Sequence, residues 1–393
     1  MEQSIEELPD DGHPLFAPAD PDHLPDHGGY APSGPRRADR HRRKRRRGRR
    51  LAPLLAILAI AAVVGASYFM VLKIGDRFAV ADYSGTGQGF VRIQVQPGDG
   101  AEDIGATLVK AGVVKSAKAF VNAAKKSGQA GDIQPGTYQL RLQSSGAAAM
   151  VAILDPANRL VSKVTIPEGW TYLQALQQIS DKTKIPLADL KAAAKQLSTL
   201  NIPDGIKATS VEGMLFPATY EFDPATTATS ALQAMVGKFG TEYASLMMQS
   251  KASALNLTPY QVLIIASISE AEAKFDADRA KVARVIMNRL AIKRPLQIDA
   301  TSAYYAKLQG LDPTKVIYAQ IPGPYNSYKN AGLPPTPIGN PGEAAINGAL
   351  APPAGSWLFY VNDDAAGHLG FFTNEADFLK AAETCKQQNW GCG

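Results

Sequence analysis

The sequence predicts an α+β protein: a single transmembrane helix, then small α+β modules, then a larger mixed α/β domain. Three observations predict it. The run "LAPLLAILAIAAVVGASYFMVL" (51–72) carries no charge and is long enough to cross a hydrocarbon core. A strand–turn–helix–strand pattern occurs twice, with Gly98 of one copy answering Gly169 of the other. After residue 226, helical patterns alternate with loops rich in Pro, Gly and Asn.

The ends of the apolar run set its orientation. Residues 1–35 hold eight acids and no Lys or Arg, and residues 36–50 ("RRADRHRRKRRRGRR") hold eleven cations and one acid. Subtracting both from 41 cations and 36 acids leaves 30 and 27 for residues 73–393, so the folded part is nearly neutral. The basic block therefore reads as the cytoplasmic flank of a span, not as a nucleic-acid patch. A cleaved signal peptide fits poorly, because the block starts far from Met1 and the apolar run is too long. The expected order is a disordered cytoplasmic tail with the basic block (1–50), a transmembrane helix (51–72) and a Gly-rich linker (73–90). Residues 73–393 are expected outside the membrane.

The first module (91–155) opens on a strand, Val91, Ile93 and Val95, and turns at Pro97-Gly98. Two helices follow, the second capped by Ser116, and "IQPGTYQLRL" closes it as a strand. In the second module (160–225), Val164 falls on Ile93, Ile166 on Val95, and Thr219-Tyr220 on Thr137-Tyr138. Two copies mark a duplicated unit and not a solenoid, which needs at least three.

The last domain (226–393) opens with "TATSALQAMVGKFGTEYASLMMQS", read as one amphipathic helix. In "LTPYQVLIIASISEAEA", Thr258 is an N-cap, Pro259 sits at N1 and Gln261 at N3, which is a capping box with a first-turn proline. A helix over about 277–290 follows, then loop-rich chain through "RPLQIDATSAYY" and "IPGPYNSYKNAGLPPTPIGNPG", then a strand in "SWLFYVND". Cys385 and Cys392 lie close enough for a local disulfide in an oxidising compartment. Two Cys without a neighbouring His make a metal site improbable.

Glu270 and Glu272 end the apolar Thr258 helix, where carboxylates must be paired or used. At 100° per residue Glu270 falls within about 60° of Leu263, Ala266 and Ser267. Desolvation on that stripe would raise its pKa, as a proton donor requires. Glu272 lies over Ile265 and Ile268, with Arg279, Arg284 and Arg289 of the next helix as candidate partners. Glu270 is therefore assigned the chemistry and Glu272 a structural ion pair. The main rival for Glu270 is also a structural ion pair. Four of the five histidines precede the span, and only His368 lies beyond it, without a nucleophile elbow. No P-loop or dinucleotide fingerprint is present. What remains is carboxylate chemistry, which suggests glycosidic cleavage. Gln297, Asp299, Thr301 and Tyr304, with the Pro-rich segment beyond, are candidate holders of a hydroxyl- and amide-rich glycan.

Together "EGMLFPATYEF", "ASISEAEA", "VARVIMNRL", "PLQIDATSAYY" and "YNSYKNAGLPPTPIGNPG" resemble the endolytic murein transglycosylases, the YceG-like family, over roughly residues 90–380. The resemblance implies an inner-membrane protein, N-terminus cytoplasmic, with a LysM-like module and a periplasmic catalytic domain. It implies cleavage of the β-1,4 bond from N-acetylmuramic acid to N-acetylglucosamine in nascent peptidoglycan, leaving a 1,6-anhydromuramyl end. It places the catalytic role on the first Glu of the motif, Glu270. It extends the substrate-binding set to Asn326, Tyr328, Thr336 and His368, and sets Glu272, Asn288, Arg289 and Glu212 as structural residues near the site. His368, Phe372 and Thr373 fit the family's closing pattern, whereas Asp377 stands where a His is expected. No cofactor, metal or nucleic acid is implied, and peptidoglycan synthases are expected partners. Two other readings stay open: a catalytically silent, membrane-anchored peptidoglycan-binding scaffold, and a muramidase that uses water with Glu270 and Asp299.

Overall fold

The structure, a computed structural model, describes residues 52–78, 80–312 and 315–392. The chain divides into two compact units, one ending at Phe78 and the other starting at Ala79. The expected cytoplasmic tail and basic block lie outside the described residues. In the first unit, α1 runs Ala52–Phe78, and its side chains Ile57, Leu58, Ile60, Val63 and Val64 are exposed. Among the described residues, no helix is long and apolar enough to cross a membrane.

The second unit begins with the first module. Strand β1 (Gln88–Val95) pairs antiparallel with β2 (Gly136–Leu142), with Ile93 opposite Tyr138 and Val95 opposite Gly136. Helices α2 (Ala101–Lys110) and α3 (Ala117–Ser127) lie between them in sequence. The Ser116 hydroxyl accepts from the Ala119 amide and starts α3, and Gly128, left-handed at φ 69°, ends it. A helix not expected from the sequence, α4 (Gly146–Leu154), follows β2. A Cβ on Gly146 would stand 2.4 Å from the Ala119 carbonyl, so only glycine lets α4 start against α3. Ile93, Leu108, Phe120, Leu140, Met150 and Ile153 close a separate small core.

The second copy repeats this register residue for residue. Strand β3 (Ser162–Thr165) pairs with β4 (Thr219–Phe222), Val164 stands opposite Tyr220, and the Ile166 amide bonds to the Ala218 carbonyl. Tyr138 and Tyr220 each donate to the carbonyl four residues back, Gln134 at 2.6 Å and Phe216 at 2.5 Å. Gly98 and Gly169 hold positive φ at equivalent turns. Between the strands run α5 (Tyr172–Lys182) and α6 (Leu187–Ala194). Unlike the first copy, this one has no core of its own: Val164, Ile166, Leu176 and Ile179 join the cluster that continues to Leu369. The Asp223 carboxylate ties the copies together, accepting from the Thr137 amide and from its hydroxyl.

The expected single helix after residue 226 is broken. Helix α7 (Ala228–Ser245) stops at Leu246, Met247 turns left-handed at φ 52°, and α8 (Met248–Ala254) starts afresh. Burial of Leu246 and Met248 on either side outweighs the strain at Met247. Helix α9 (Pro259–Glu272) has the expected capping box at Thr258 and Gln261. It is apolar all round and central, packed by α10 (Asp276–Ala291) and α12 (Glu343–Leu350). The segment read as a loop at "DATSAYYAKL" is α11 (Asp299–Leu308). Its buried face is Thr301, Ser302, Tyr304 and Ala306, too polar to show a hydrophobic period. The hairpin of β5 (Phe359–Asn362) and β6 (Leu369–Phe372), then α13 (Glu375–Gln387), complete the unit.

Candidate active site

Helix α9 ends at Glu272, and its last turn carries both glutamates. Two residues apart on a helix they point about 200° from each other, so they meet different neighbours. The Glu270 side chain is only 4% exposed, and its Oε1 lies 2.7 Å from Arg279 Nη2. Its Oε2 accepts from the Gly342 amide, at the start of α12, at 3.2 Å. Arg279 also bonds Asp276 at 2.7 Å and the Ala273 carbonyl at 3.1 Å, and comes within 3.7 Å of Glu168. The sequence reading gave the arginine to Glu272; the structure gives it to Glu270. The correction follows from direction: the start of α10 carries Arg279 back toward the face that holds Glu270, while Arg284 donates to the Pro352 and Pro353 carbonyls.

Glu272 has no cation at ion-pair distance among the described residues. Its Oε2 accepts from the Tyr360 hydroxyl at 2.9 Å, and the Ala300 amide, at the start of α11, also bonds it. Burial pushes its carboxyl above the ordinary range; Tyr360 and the Ala300 amide pull it down, and the Asp299 charge pushes it further up. Glu270 is raised too, by burial first. Arg279 and the Gly342 amide oppose that rise, and Glu168 and Asp276 add to it.

Glu272 lines a cleft of about 410 Å³ together with Arg289, Gln297, Asp299, Tyr328 and Tyr360. Asp299 is held by the Tyr328 hydroxyl at 2.7 Å. Arg289 is buried and tied down by carbonyls, Nε to Leu358 and Nη1 to Leu296, both at 2.6 Å, beside the Phe359 ring. Gln297 is exposed in a left-handed turn at φ 52° and anchored through its amide to Ser327. Two hollows of about 480 and 490 Å³ lie elsewhere, and neither contains Glu270 or Glu272.

The other predicted residues separate by depth. Gln297, Asp299 and Tyr328 share the cleft with Glu272. Thr301, Tyr304, Asn326 and Thr336 are buried and spent on internal bonds. Thr301 donates to the Ile298 carbonyl, and Asn326 gathers the 318–321 turn and the Tyr328 amide. Thr336 pairs with Tyr325 at 2.7 Å, and Tyr304 donates to Glu212. These four support the loop and do not face the cleft. His368 stacks on Phe275 with ring centres 3.9 Å apart, 3.7 Å from Asp278, outside the cleft-lining set. Asn288 holds the 355–357 turn through the Gly355 and Trp357 carbonyls. Glu212 is fully buried, accepts from the Tyr172 amide and Tyr304, and is pushed up by burial to about 8. Cys385 and Cys392 are joined in a disulfide. Sequence reasoning missed Tyr360, which sits in a strand with nothing nearby in sequence to link it to Glu272.

The YceG-like family model matches residues 93–384. The chain belongs to the YceG-like family. This YceG-like chain is 33% identical over 290 residues to the endolytic murein transglycosylase of Bacillus subtilis, covering 69% of this chain and 78% of that protein. It is 29% identical over 317 residues to the protein of the same name from Streptococcus pneumoniae, covering 73% of this chain and 57% of that one. A solved yceG-like protein of Listeria monocytogenes is 25% identical, with a TM-score of 0.49, over 75% of this chain and 99% of that one. The matched span of the YceG-like chain includes both glutamates, Asp299, Tyr328 and Tyr360, and stops one residue short of Cys385.

Proposed function

We propose that this protein is an endolytic lytic transglycosylase of peptidoglycan with Glu270 as its proton shuttle. The observation that carries the assignment is that burial holds the Glu270 carboxyl above the ordinary range although Arg279 and the Gly342 amide pull against it, the state a proton donor requires. Glu270 is also the first glutamate of "ASISEAEA", inside the matched span. Glu272, bonded to Tyr360 and the Ala300 amide, ties the end of α9 to the start of α11.

The chemistry then runs through one side chain. Protonated Glu270 gives its proton to the glycosidic oxygen as the bond from that oxygen to the muramyl anomeric carbon breaks. The muramyl 6-hydroxyl closes on that carbon and passes its proton to the Glu270 carboxylate. One bond breaks, one forms, the acid is restored, and no water is consumed. Arg279 and the Gly342 amide orient the carboxyl and hold it once it is charged. Acid–base assistance of this kind supplies roughly 10²–10⁴-fold.

The substrate reading rests on the names of the relatives and on a cleft lined by carboxylates, tyrosines and an amide. Anchoring in the bacterial inner membrane is supported by the uncharged run at 51–72 behind eleven cations. A LysM-like character of the first module is supported by its strand–helix–helix–strand order, and synthases remain proposed partners. Asp299, held by Tyr328 in the cleft at the end of α9, favours a hydrolytic muramidase using Glu270 and Asp299 as the second reading. Mass spectrometry of products from uncross-linked glycan separates them. Anhydro ends support transglycosylation, ends heavier by one water support hydrolysis, and no cleavage supports a silent scaffold.

A further inference from the structure

The second module reaches Glu270 through the turn that leads from β3 to α5. Gly169, left-handed at φ 74°, reverses the chain there. Three hydrogen bonds clamp this turn to the segment before α12. The Gly169 amide donates to the Asn340 carbonyl at 2.8 Å. The Asn340 amide and side chain both donate to the Trp170 carbonyl, at 2.8 and 2.7 Å. A Cβ on Gly339 would stand 2.6 Å from the Gly169 carbonyl oxygen, so the two segments lie backbone to backbone. A Cβ on Gly169 would lie 3.6 Å from Glu270 Cγ, so the turn rests against the acid. The matching turn of the first copy makes no such approach: among the described residues nothing beyond its chain neighbours comes within 4 Å of a Cβ on Gly98. The two turns also differ in charge, with Glu168 in the second copy where the first has Pro97.

Glu168 stands at the exposed end of a charge cluster whose buried end is Glu270. Arg279 joins them. Its Nη2 lies 2.7 Å from Glu270, while Nη1 lies 2.7 Å from Asp276 and 3.7 Å from Glu168. A Cβ on Gly342 would collide with the Glu168 carboxylate, so glycine makes room for Glu168 beside the amide that bonds Glu270. The groups that face Glu270 are thus Arg279 and Asp276 from α10, the Gly342 amide from α12 and Glu168 from the second module. One guanidinium serves three carboxylates.

We infer that Glu168 is a positioning residue for the proposed reaction: it divides the charge of Arg279 with Glu270, so that Arg279 orients the acid without fixing it as a permanent carboxylate. This rests on the transglycosylase reading with Glu270 as the shuttle. A shuttle must hold a proton, give it up and take it back. An arginine committed to Glu270 alone would favour the charged form throughout. Glu168 and Asp276 oppose that, and both push the Glu270 carboxyl up. Asp276 shares a helix with Arg279, whereas Glu168 arrives from a separate module. The docking of that module therefore sets how much of the arginine's charge reaches the acid.

The test is the pH profile of kcat/KM for the full chain on uncross-linked glycan. In wild type the loss of activity on the alkaline side follows Glu270. Glu168→Gln is expected to move that loss about half a pH unit lower, because a half-exposed charge is screened. Above the transition kcat/KM then falls about 3-fold, and below it kcat/KM is kept. Glu168→Asp retains the charge and is expected to stay closer to wild type. Gly342→Ala retains the amide and displaces the Glu168 carboxylate, so it is expected to shift the profile in the same direction as Glu168→Gln. An unchanged profile in Glu168→Gln overturns the inference. An equal loss at every pH also overturns it, since that is the mark of a purely structural role. Both results leave the transglycosylase reading intact. If wild type does not cleave the glycan, that reading fails and this inference with it.

Discussion

Removing Arg279 leaves the Glu270 carboxyl, its side chain 4% exposed, without its cation. Breaking a buried pair from one side costs roughly 3–5 kcal/mol, so Arg279→Ala is expected to lower urea stability by that order. Glu270→Gln keeps the shape and much of the hydrogen bonding, so it is expected to cost less stability and to reduce cleavage by at least about 10²-fold. Glu272→Gln, whose amide oxygen can still accept from Tyr360, is expected to keep measurable activity. The same contrast governs pH. Glu270 must be protonated to act and its carboxyl is raised, so activity is fully present below its folded pKa. Activity falls as pH rises through that value, which lies above the ordinary glutamate range. A pH profile of kcat/KM in which the loss sits at ordinary glutamate values would count against Glu270. At this scale the sequence marked the pair of residues and gave the arginine to the wrong one. A helical wheel ranks a residue by its own helix, and what separates these two glutamates comes from elsewhere. Arg279 begins the next helix, Tyr360 is on a strand 88 residues away, and the Ala300 amide starts α11.

At the scale of elements, the duplicated module was legible because a strand pair fixes register through side chains that alternate in sequence. Val164 and Ile93 take equivalent places, and so do Tyr220 and Tyr138. Helix α11 was not legible, because its inward face carries Thr301, Ser302 and Tyr304 and reads as loop. The Pro-rich segment was expected to line the site, yet most of it is scaffold. Asn340 is fully buried, accepts from the Leu215 amide at 2.9 Å and donates to the Trp170 carbonyl at 2.7 Å. It thereby joins the segment to the second module. Asn340→Ala strands both groups and is expected to destabilise the fold by roughly 2–4 kcal/mol, read by denaturant melts. Glu212 joins the same module to α11 and α5. Its pKa is raised from 4.5 to about 8, so the stability it contributes is fully present below about 4.5 and is lost as pH rises toward 8. Glu212→Gln, whose amide can serve Tyr172 and Tyr304 without ionising, is expected to flatten the fall in Tm between pH 5 and 8. An unchanged slope would show that Glu212 ionises without cost.

For the whole molecule, the second module gives up an independent core and merges with the helices around α9. The first keeps its own core and meets the second through Asp223. The merged core holds α9 rigidly by packing on every face, and the cleft forms where that helix ends, between the start of α11 and the β5–β6 hairpin. The sequence announced this division through two copies of one pattern followed by an apolar helix. It could not announce the cleft, whose lining comes from segments spread between Glu272 and Cys392. Glu270 is proposed to move the proton alone, with no water entering. The most direct measurement is product mass from uncross-linked, stem-bearing glycan treated with wild type, Glu270→Gln and Glu272→Gln. Anhydromuramyl ends are expected from wild type and Glu272→Gln and none from Glu270→Gln. Anhydro ends from Glu270→Gln at the wild-type rate would contradict the assignment.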